Sequence, residues 1–507
     1  MKISQLKVGV VLSYATQIIQ ILSGLLYTPI MLRLLGQSEY GLYQLVYSVV
    51  SYLTLLSMGF GSAYMRFYAR YKVNNDDDGV AKLNGMFLAI FSVISVICLL
   101  CGLVMITNAK AIFGNGLTST ELQKAKILMA IMVLNLAISF MGSVFQSNIT
   151  AHEQFFFQRL VQFLKALFNP FLTLPLLLLG FGSIGMVTIT TLLTVSVFIS
   201  DIIFCNKKLK IKFKFKGFNF PLLKEMWVFT FFIFMNMIVD QLNWSIDKFL
   251  LGRFMGTVAV AIYGVASQLN AMYMTFSCAI SGVFIPRVNF IVSENKDDKK
   301  LPDIFTRVGR VQFILIALII FGYIVFGKSF IGYWAGAGYE DAYVIGIYLM
   351  VPVSIPLIQN LGIEIQRAKN MHKARSIVYL FIAISNIFVS IPCIMLWGTK
   401  GAAIGTAISL LVGNGLFMNI YYHKKIGLDI TYFWKEIMKF TPSLIIPIIL
   451  GIAIMKYVTF SSIFMLGGAI IAYVIIYCVS MWFIGMNDYE RGLILAPMKK
   501  LLGKGFK

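Results

Sequence analysis

Long apolar runs separated by short polar segments make up almost the whole chain. Each run holds about 20 residues with few charges, which is enough for one helix to cross about 30 Å of hydrocarbon. The pattern therefore predicts about fourteen transmembrane helices. In chain order these cover residues 9–35, 41–64, 84–106, 127–146, 155–179, 183–204, 227–250, 257–285, 308–326, 343–364, 377–397, 402–422, 437–455 and 463–484.

The composition indicates the same class of protein. Hydrophobic residues make up 59% of the 507 residues and charged residues 13%, whereas a soluble domain has about 45–50% and about 25%. A closed barrel would also satisfy its backbone in lipid, but barrels are built from short strands of alternating polarity. These runs are long and apolar on every face, so the predicted fold class is an all-α polytopic membrane protein.

The distribution of basic residues predicts the orientation of the chain in the membrane. With the N-terminus inside and loops on alternate sides, about 32 of the 43 lysines and arginines lie inside and about nine outside. Adding or removing one helix would destroy this asymmetry, so we predict that both termini are cytoplasmic. Anionic lipid at the inner surface accounts for the net charge of +22, and we expect no nucleic-acid partner.

Two parts of the chain carry matching short motifs. Leu34-Leu35-Gly36, Tyr40-Gly41 and Gln44-Leu45 recur as Leu250-Leu251-Gly252, Tyr263-Gly264 and Gln268-Leu269. At one constant offset, Gln146, His152 and Ile184-Gly185 recur as Gln366, His372 and Ile404-Gly405. Helices one to six therefore resemble helices seven to twelve, and we expect Gly36 to correspond to Gly252 and His152 to His372.

The duplication predicts the domain organisation. Because six is an even number of crossings, the two halves should have the same orientation and be related by an axis along the membrane normal. The predicted domains are a six-helix bundle (1–206), a basic cytoplasmic linker (207–221), a second six-helix bundle (222–425), and two extra transmembrane helices with a basic cytoplasmic tail (426–507).

The segment TPIMLRLLGQSEYGLYQL (28–45) combines a proline, an arginine, a Leu-Gly turn and a Tyr-Gly helix start. Together with WGTKGAAIGTAIS (397–409) and the duplicated halves, it resembles the multidrug/oligosaccharidyl-lipid/polysaccharide exporter superfamily, in its polysaccharide branch of Wzx-type flippases. The resemblance covers nearly the whole chain and is more specific for the superfamily than for the substrate. It implies two bundles around a central cavity that opens alternately to either side of the membrane.

The resemblance also implies a function, a location and partners. Members of this branch move undecaprenyl-pyrophosphate-linked oligosaccharides from the cytoplasmic to the outer leaflet. We therefore expect a multi-pass monomer in the bacterial cytoplasmic membrane that serves the synthesis of O-antigen of lipopolysaccharide, capsule or exopolysaccharide. Its expected partners are the lipid-linked oligosaccharide, the lipid bilayer, a polysaccharide polymerase and glycosyltransferases. No cofactor is expected beyond H⁺ or Na⁺ as a coupling ion.

Ionisable and amide side chains interrupt two predicted helices at helical spacing. The seventh carries Asn236, Asp240, Asn243 and Asp247, followed by Lys248, and the fifth carries Gln158, Gln162, Lys165 and Asn169. Both sets of four are spaced four, three and four, so each set shares one helical face. Intramembrane charges face a bundle interior or a wet cavity, and we predict that both stripes line a translocation cavity. A structural Lys165–Asp240 pair that ties helices together is the alternative, and both can hold.

The first two predicted helices contribute further candidates. On the first helix, the candidate cavity residues are Gln17 and Tyr27, and the candidate hinges are Gly24 and Pro29. Proline removes a backbone hydrogen bond and kinks a helix, although membrane helices also tolerate proline without a gating role. Arg33 and Arg66, near helix ends, are cavity candidates, and extension of their side chains to the lipid headgroups is the alternative.

These residue types suit a diphosphate cargo. Lysine at mid-depth can hold a diphosphate as a point charge, and arginine can bind it through two parallel hydrogen bonds. The alternative function is a drug/cation antiporter of the same superfamily, in which Asp240 would hold a proton or Na⁺. A scaffold that binds the polymerase without transport would make the cavity charges dispensable. The sequence has no phosphate-binding loop and no nucleophile elbow, so we do not expect an enzyme.

Two charged segments lie outside the predicted helices. The basic run KKLKIKFKFK (207–216) is expected to lie on lipid headgroups as a linker between the halves. The acidic run Asp76-Asp77-Asp78 is expected to be a solvated loop. The three histidines of the chain are scattered without a carboxylate cluster, so we expect no metal site.

Overall fold

The computed structural model of the protein describes residues 5–216, 220–293, 300–369, 371–493 and 495. Most of the described residues are helical, and none of them forms a strand. The predicted all-α fold class is therefore confirmed. Residues 217–219 of the predicted linker and the part of the predicted tail beyond residue 495 lie outside the described residues, as does the side chain of His372.

The chain divides into two compact units, Met1–Gly264 and Val265–Lys507. The first contains α1 (Gln5–Val50), α2 (Phe60–Val73), α3 (Asp77–Thr107), α4 (Ala109–Phe113), α5 (Ser119–Ala151), α6 (Phe155–Leu178), α7 (Gly182–Phe204), α8 (Phe220–Phe254) and the start of α9 (Thr257–Ser293). The second contains the rest of α9, α10 (Lys300–Trp334), α11 (Asp341–Ile358), α12 (Leu361–Ala368), α13 (His372–Trp397), α14 (Thr399–Leu410), α15 (Asn419–Tyr421), α16 (Ile430–Met438), α17 (Thr441–Tyr457) and α18 (Ile463–Ser480). This division follows packing, whereas the predicted domains follow the sequence duplication and stay a prediction.

Helical structure covers each predicted transmembrane segment. By length and composition, eleven helices in the described chain can cross a membrane, or twelve if the bent pair Ile430–Met438 and Thr441–Tyr457 forms one span. The first of these, Val8–Val73, has 66 residues. That length corresponds to about 100 Å of helix, about three times the thickness of the hydrocarbon, so it can supply more than one crossing. The count of fourteen stays a prediction.

Two breaks divide this long helical stretch. Gly36 has φ 73° and ψ 170°, a conformation that residues with a Cβ rarely adopt. Further along, the 3₁₀ segment Ser51–Ser57 ends at Met58 and Gly59, whose φ angles are 46° and 72°. A Cβ on Gly59 would lie 2.5 Å from Ile233 Cγ2, so glycine also permits the close approach of α8. Because 3₁₀ segments inside helices often mark hinges, the second break is a hinge candidate that sequence reasoning missed.

The structure corrects one correspondence between the repeated motifs. Gly256 has φ 83°, whereas Gly252 is helical within α8, where a Cβ would collide with the side chain of Leu45. The expected match of Gly36 with Gly252 is therefore wrong, because the two glycines serve different purposes. Gly256 shares the left-handed conformation of Gly36 and lies at the same offset that relates Gln146 to Gln366.

The sixth and twelfth predicted helices also end alike. The π-helical turn Cys205–Leu209 precedes Lys210 with φ 50°, and the π-helical turn Tyr422–Ile426 precedes Gly427 with φ 81°. The first turn is closed by Ile211 N–H to Cys205 O at 3.2 Å and the second by Leu428 N–H to Tyr422 O at 3.0 Å. These local likenesses support the duplication, while superposition of the two halves stays a prediction.

A buried ionic cluster joins α10 to the C-terminal helices within the second unit. The Arg310 side chain is 5% exposed and lies 2.6 Å from Glu490 Oε1 and 3.3 Å from Glu436 Oε2. Its guanidinium also lies over the ring of Phe440, 4.3 Å from the centroid. Since Glu436 is on α16 and Glu490 follows α18, the cluster fastens the two extra helices to α10.

The basic linker packs on α3, which changes its expected placement on the headgroups alone. Lys214 N–H donates to Ala81 O at 2.9 Å, and Asn84 Nδ2 donates to Lys212 O at 3.2 Å. A Cβ on Gly85 would collide with Lys214 O. Residues 210–216 therefore lie against the first turns of α3, in contact that a side chain at position 85 would prevent.

The acidic run is exposed, but it is more than a solvated loop. Asp76 Oδ1 accepts a hydrogen bond of 2.7 Å from Gly79 N–H and caps the start of α3. Asp78 forms ion pairs with Lys214 of the linker and with Lys82, the latter at 2.8 Å. The run thus begins a helix and also binds the linker, whose Lys214 lies 136 positions after Asp78 in the sequence.

Candidate functional site

The polar stripe on α8 changes from exposed to buried along the helix. Asn236 and Asp240 are exposed, Asn243 is half-buried, and Asp247 is 1% exposed. Tyr263 OH of α9 donates a hydrogen bond of 2.6 Å to Asp247 Oδ2. A hydrogen bond from a hydroxyl to a carboxylate stabilises the charged form of a buried acid, so Tyr263 explains how Asp247 can occupy this position.

Lys248 is bound by neutral groups on the part of α1 that follows Gly36. Its Nζ donates to Gln44 Oε1 at 3.1 Å, and Gln44 Nε2 donates to Tyr40 OH at 2.8 Å. Tyr40 and Gln44 belong to the segment YGLYQL (40–45), in which their spacing of four residues puts both on one helical face. Sequence reasoning used these two residues only as family markers and missed their contact with Lys248.

A second polar face on α8 was also missed. Gln241 Nε2 donates to Ser51 Oγ, and Ser245 Oγ lies 3.5 Å from Ser51 Oγ. Gln241, Ser245 and Lys248 are spaced four and three, the signature already used for the neighbouring stripe. This face contacts the second break of the long helical stretch Val8–Val73, because Ser51 is the first residue of the 3₁₀ segment Ser51–Ser57.

The stripe on α6 is half-buried and hydrogen-bonded within the first unit. Gln158 Nε2 donates to Thr150 Oγ1 at 2.8 Å, and Gln162 Oε1 accepts from Arg159 Nη1 at 3.0 Å. Asn169 lies one turn before Thr173, and both of these residues are on α6. Gln158 therefore has its partner on α5, whereas Gln162 has its partner on α6 itself.

Lys165 is bound to α7. Its Nζ donates to Thr194 Oγ1 at 3.0 Å, and Asn135 Nδ2 of α5 donates to the same oxygen at 3.1 Å. The structural Lys165–Asp240 pair, which was the alternative for these stripes, is not formed among the described residues, since the hydrogen bond of Lys165 goes to Thr194 instead. The reason is the packing of α6 against α7, which a pattern of spacing on single helices does not reveal.

The candidates on the first two predicted helices are separate from one another. Tyr27 OH accepts a hydrogen bond of 2.8 Å from Thr173 Oγ1 of α6, and Gln17 is half-buried. Arg33 and Arg66 are both exposed, and the Arg66 guanidinium lies over the Phe229 ring, 4.9 Å from its centroid. These residues line α1 and α2, and their cavity role stays a prediction.

The candidate hinges have helical backbone conformations. Within α1, the residue with non-helical dihedral angles is Gly36, so Gly24 and Pro29 continue the helix. Pro29 still lacks an N–H for its helix. A hinge role for Gly24 and Pro29 stays a prediction, while the observed breaks lie at Gly36 and at Met58–Gly59.

All predicted cavity residues lie in the first unit, and the counterparts of the α6 stripe on α13 have different chemistry. Ile382 and Ser385 stand at the repeat positions of Gln162 and Lys165. Both line an apolar pocket of about 380 Å³ with Phe381 and with side chains of α14. The two halves have therefore diverged at this face, with polar side chains in the first and an apolar pocket in the second.

The fold and the polar stripes define the class of protein. It is a polytopic helical membrane protein with charged and amide side chains along its membrane-spanning helices. The sequence profile described as polysaccharide biosynthesis protein matches residues 6–292, more than half of the chain. The chain belongs to this family of polysaccharide biosynthesis proteins. The match confirms the resemblance drawn from the segment at residues 28–45.

Known proteins share part of the sequence or the fold. The probable low-salt glycan biosynthesis flippase Agl15 of Haloferax volcanii is 23% identical over 173 residues, which are 34% of this chain and 36% of that relative. The aligned part thus spans about a third of that relative's length. The lipid II flippase MurJ, in an inward closed conformation, matches with TM-score 0.76 and 18% identity over 96% of this chain and 100% of that chain.

A second solved structure has the same fold. An inward-facing multidrug resistance MATE family transporter of the MOP superfamily matches with TM-score 0.68 and 15% identity, over 83% of this chain and 99% of that chain. At identities this low, the structural matches establish a shared fold. The predicted fold of the exporter superfamily is therefore confirmed.

Proposed function

We propose that the protein is a flippase that moves an undecaprenyl-diphosphate-linked oligosaccharide from the cytoplasmic to the outer leaflet during the synthesis of a cell-surface polysaccharide. The family and the fold support a transporter for polysaccharide biosynthesis. The polyprenyl tail of such a cargo can remain in lipid, whereas the diphosphate and the sugars need a polar path. The proposed movement is alternating access, in which the polar residues of α6 and α8 face first one side of the membrane and then the other.

The proposal rests on the hydrogen-bond partners of two lysines within predicted transmembrane helices, Lys165 and Lys248. Lys165 donates to the Thr194 hydroxyl and Lys248 to the Gln44 amide oxygen, both neutral acceptors. In the described part of the chain, neither lysine has a carboxylate within ion-pair distance. A charge inside a membrane helix is rare and marks a functional site, and these two positive charges remain available to a diphosphate.

The surrounding groups suit the rest of the cargo. The amide side chains of Gln158, Gln162, Asn236 and Asn243 can donate and accept hydrogen bonds, so they fit sugar hydroxyls in several orientations. Arginine binds diphosphate oxygens through two parallel hydrogen bonds, which makes the exposed Arg33 and Arg66 candidates for entry and exit. O-antigen, capsule and exopolysaccharide precursors share this chemistry.

A drug/cation antiporter of the same superfamily is the second candidate, and one observation favours it. Asp247 is buried and receives the Tyr263 hydroxyl, an arrangement in which a carboxylate can bind a proton or Na⁺. The two lysines on the same unit oppose a cationic cargo, because like charges repel. We therefore place the flippase first, with H⁺ or Na⁺ as its coupling ion.

The experiment compares the lysines in a strain that lacks the gene. Lys165→Ala and Lys248→Ala are expected to cause accumulation of lipid-linked oligosaccharide on the cytoplasmic side at normal protein abundance. Lys456→Ala, on the last turn of α17, is the control and is expected to behave as wild type. Asp240→Asn is expected to leave glycan export largely intact.

The opposite pattern would reject the flippase. Normal surface glycan in both lysine variants at normal abundance, together with loss of drug resistance in Asp247→Asn, would establish the antiporter instead. Normal glycan and normal drug resistance in all variants would indicate a scaffold, in which the intramembrane charges are dispensable.

A further inference from the structure

A basic cavity lies at the end of the first unit that the charge distribution predicts to be cytoplasmic. Its volume is about 260 Å³, and its walls come from the end of α2, the start of α3, the end of α5 and the linker that follows α7. Sites for drug-sized ligands have about 300–1,000 Å³, so this cavity suits a smaller group. It is separate from the polar stripes of α6 and α8.

The charges in the cavity walls are mostly positive. Lys72, Lys210 and Lys212 line it, against one carboxylate, that of Asp77. Lys72 Nζ lies 3.8 Å from Asp77 Oδ1, which compensates one lysine. Within the described part of the chain, neither Lys210 nor Lys212 has a carboxylate within ion-pair distance. Two lysine charges therefore remain for a ligand of opposite sign.

The base of the cavity supplies neutral hydrogen-bonding groups in fixed positions. His152 Nδ1 donates to Asn148 O at 2.8 Å, which leaves Nε2 to accept from Tyr68 OH at 3.2 Å. The buried Tyr64 hydroxyl lies 2.6 Å from Asn84 Oδ1 and 2.7 Å from Asn148 Oδ1. This network connects α2, α3 and α5, so the walls of the cavity are held in register before a ligand arrives.

The backbone of the linker at Lys210 and Lys212 is also held in position. Lys212 O accepts from Asn84 Nδ2, and the next residue packs its ring, Phe213, against Phe145 with centroids 6.0 Å apart. Lys210 adopts φ 50°, the left-handed turn that ends the π-helical segment. Their backbone is therefore fixed against α3 and α5, and little ordering of the linker is needed when a ligand binds.

We propose that this cavity is a phosphate-binding site in which Lys72, Lys210 and Lys212 hold a phosphate or diphosphate group. Lysine is a strong point-charge ligand for phosphate, and the cavity has room for one such group with its attached atoms outside. A phosphate bound here would bridge α2 and the linker and stabilise the docked linker. The phosphate can come from an anionic lipid headgroup of the adjacent leaflet or from a soluble molecule.

The test uses the full-length protein and two probes. Inorganic diphosphate is titrated onto detergent-solubilised protein by calorimetry, and thermal unfolding is measured in nanodiscs of phosphatidylcholine with or without phosphatidylglycerol. The key variant is Lys210→Gln/Lys212→Gln. Its matched control, Lys207→Gln/Lys216→Gln, removes two charges from the same linker outside the cavity lining.

The cavity variant is expected to weaken diphosphate binding by at least about tenfold, because charge-assisted hydrogen bonds are lost, and the control by less than about twofold. Stabilisation by phosphatidylglycerol that disappears in the cavity variant alone identifies a lipid headgroup, and diphosphate binding with the same specificity identifies a soluble ligand. Equal effects in both variants, or no effect of either probe on wild type, overturns the proposal. If the cavity variant unfolds early without ligand, Lys72→Gln on α2 replaces it with the same expected loss.

Discussion

Lys165 Nζ donates a hydrogen bond of 3.0 Å to Thr194 Oγ1, a neutral hydroxyl on the neighbouring helix α7. A lysine at the centre of a membrane helix costs about 2.5–3.5 kcal/mol on insertion scales, and a neutral acceptor leaves its full charge in place. The threonine orients the ammonium group and does not neutralise it. This arrangement fits the proposed role of Lys165, in which its ammonium group binds the diphosphate of the cargo.

Thr194→Val is expected to lower transport and stability together. The change removes the acceptor that Lys165 and Asn135 share, and an unsatisfied buried polar group costs about 1–3 kcal/mol. Glycan export is expected to fall and the unfolding midpoint in detergent to drop. Lys165 keeps its charge in this variant, so some export should remain.

Thr190→Val is the matched control for this change. Its hydroxyl bonds to the Met186 carbonyl of its own helix, so its loss leaves no partner on another helix unsatisfied. If Thr194→Val and Thr190→Val have the same export and the same unfolding midpoint, the Lys165–Thr194 hydrogen bond has no functional role.

Gly41→Ala is expected to prevent correct packing of the first unit. A Cβ at this position would collide with the backbone carbonyl of Thr257, at the start of α9. Because backbone cannot move aside as a flexible side chain does, we expect a loss of stability of at least about 1–3 kcal/mol. The measurement is protein abundance in the membrane and the unfolding midpoint.

Gly468→Ala is the control for the glycine effect itself. This glycine is within α18, and a Cβ would meet no atom within 4 Å. Alanine is the better helix former by about 0.5–1 kcal/mol, so abundance should be unchanged or raised. Equal abundance of Gly41→Ala and Gly468→Ala would contradict the close approach of α1 and α9.

Arg310→Ala is expected to destabilise the second unit by about 3–5 kcal/mol, because it leaves the buried carboxylate of Glu490 without its cation, while Glu436 keeps Lys439. The side chain of Glu490 is 2% exposed and that of Glu436 is 12% exposed. Arg367→Ala removes an exposed ion pair with Glu364, which is worth about 0–1 kcal/mol. Comparable unfolding midpoints for the two variants would show that the buried cluster does not stabilise the fold.

The topology is tested by reporter fusions in three loops. Three helices, α8 to α10, separate Lys216 from Gly338, so fusions after these residues are expected on opposite sides of the membrane. A fusion after Gly427 is expected on the same side as the one after Lys216, which should be cytoplasmic. Finding Lys216 and Gly338 on the same side would remove the basis for the predicted orientation.

Much of the architecture could be predicted because its cause is local in sequence. Apolar length decides which segments form membrane helices, and helical structure covers every predicted segment. The stripe on α8 is real for the same reason, since spacings of three and four residues place side chains on one face. Thr194 as the partner of Lys165 could not be predicted, because nothing local in a helix specifies its neighbour.

The repeated glycines show the same limit at one position. A short motif matched Gly36 to Gly252, but the backbone places the left-handed conformation at Gly256. Gly252 has a different role, because its missing side chain makes room for Leu45. Both glycines follow two leucines in the sequence. Only the packing of the surrounding helices distinguishes the turn at Gly36 from the close contact at Gly252.

The sequence by itself determined the all-α membrane class, the positions of the helices and the residues that place charge inside them, because hydrophobic length and helical spacing act along the chain. The tertiary structure alone decided the partners: Thr194 for Lys165, Gln44 for Lys248, and α3 for the basic linker. Hydrogen bonds and ion pairs depend on separations of a few ångströms between residues far apart in sequence. Those separations exist only after the helices have packed.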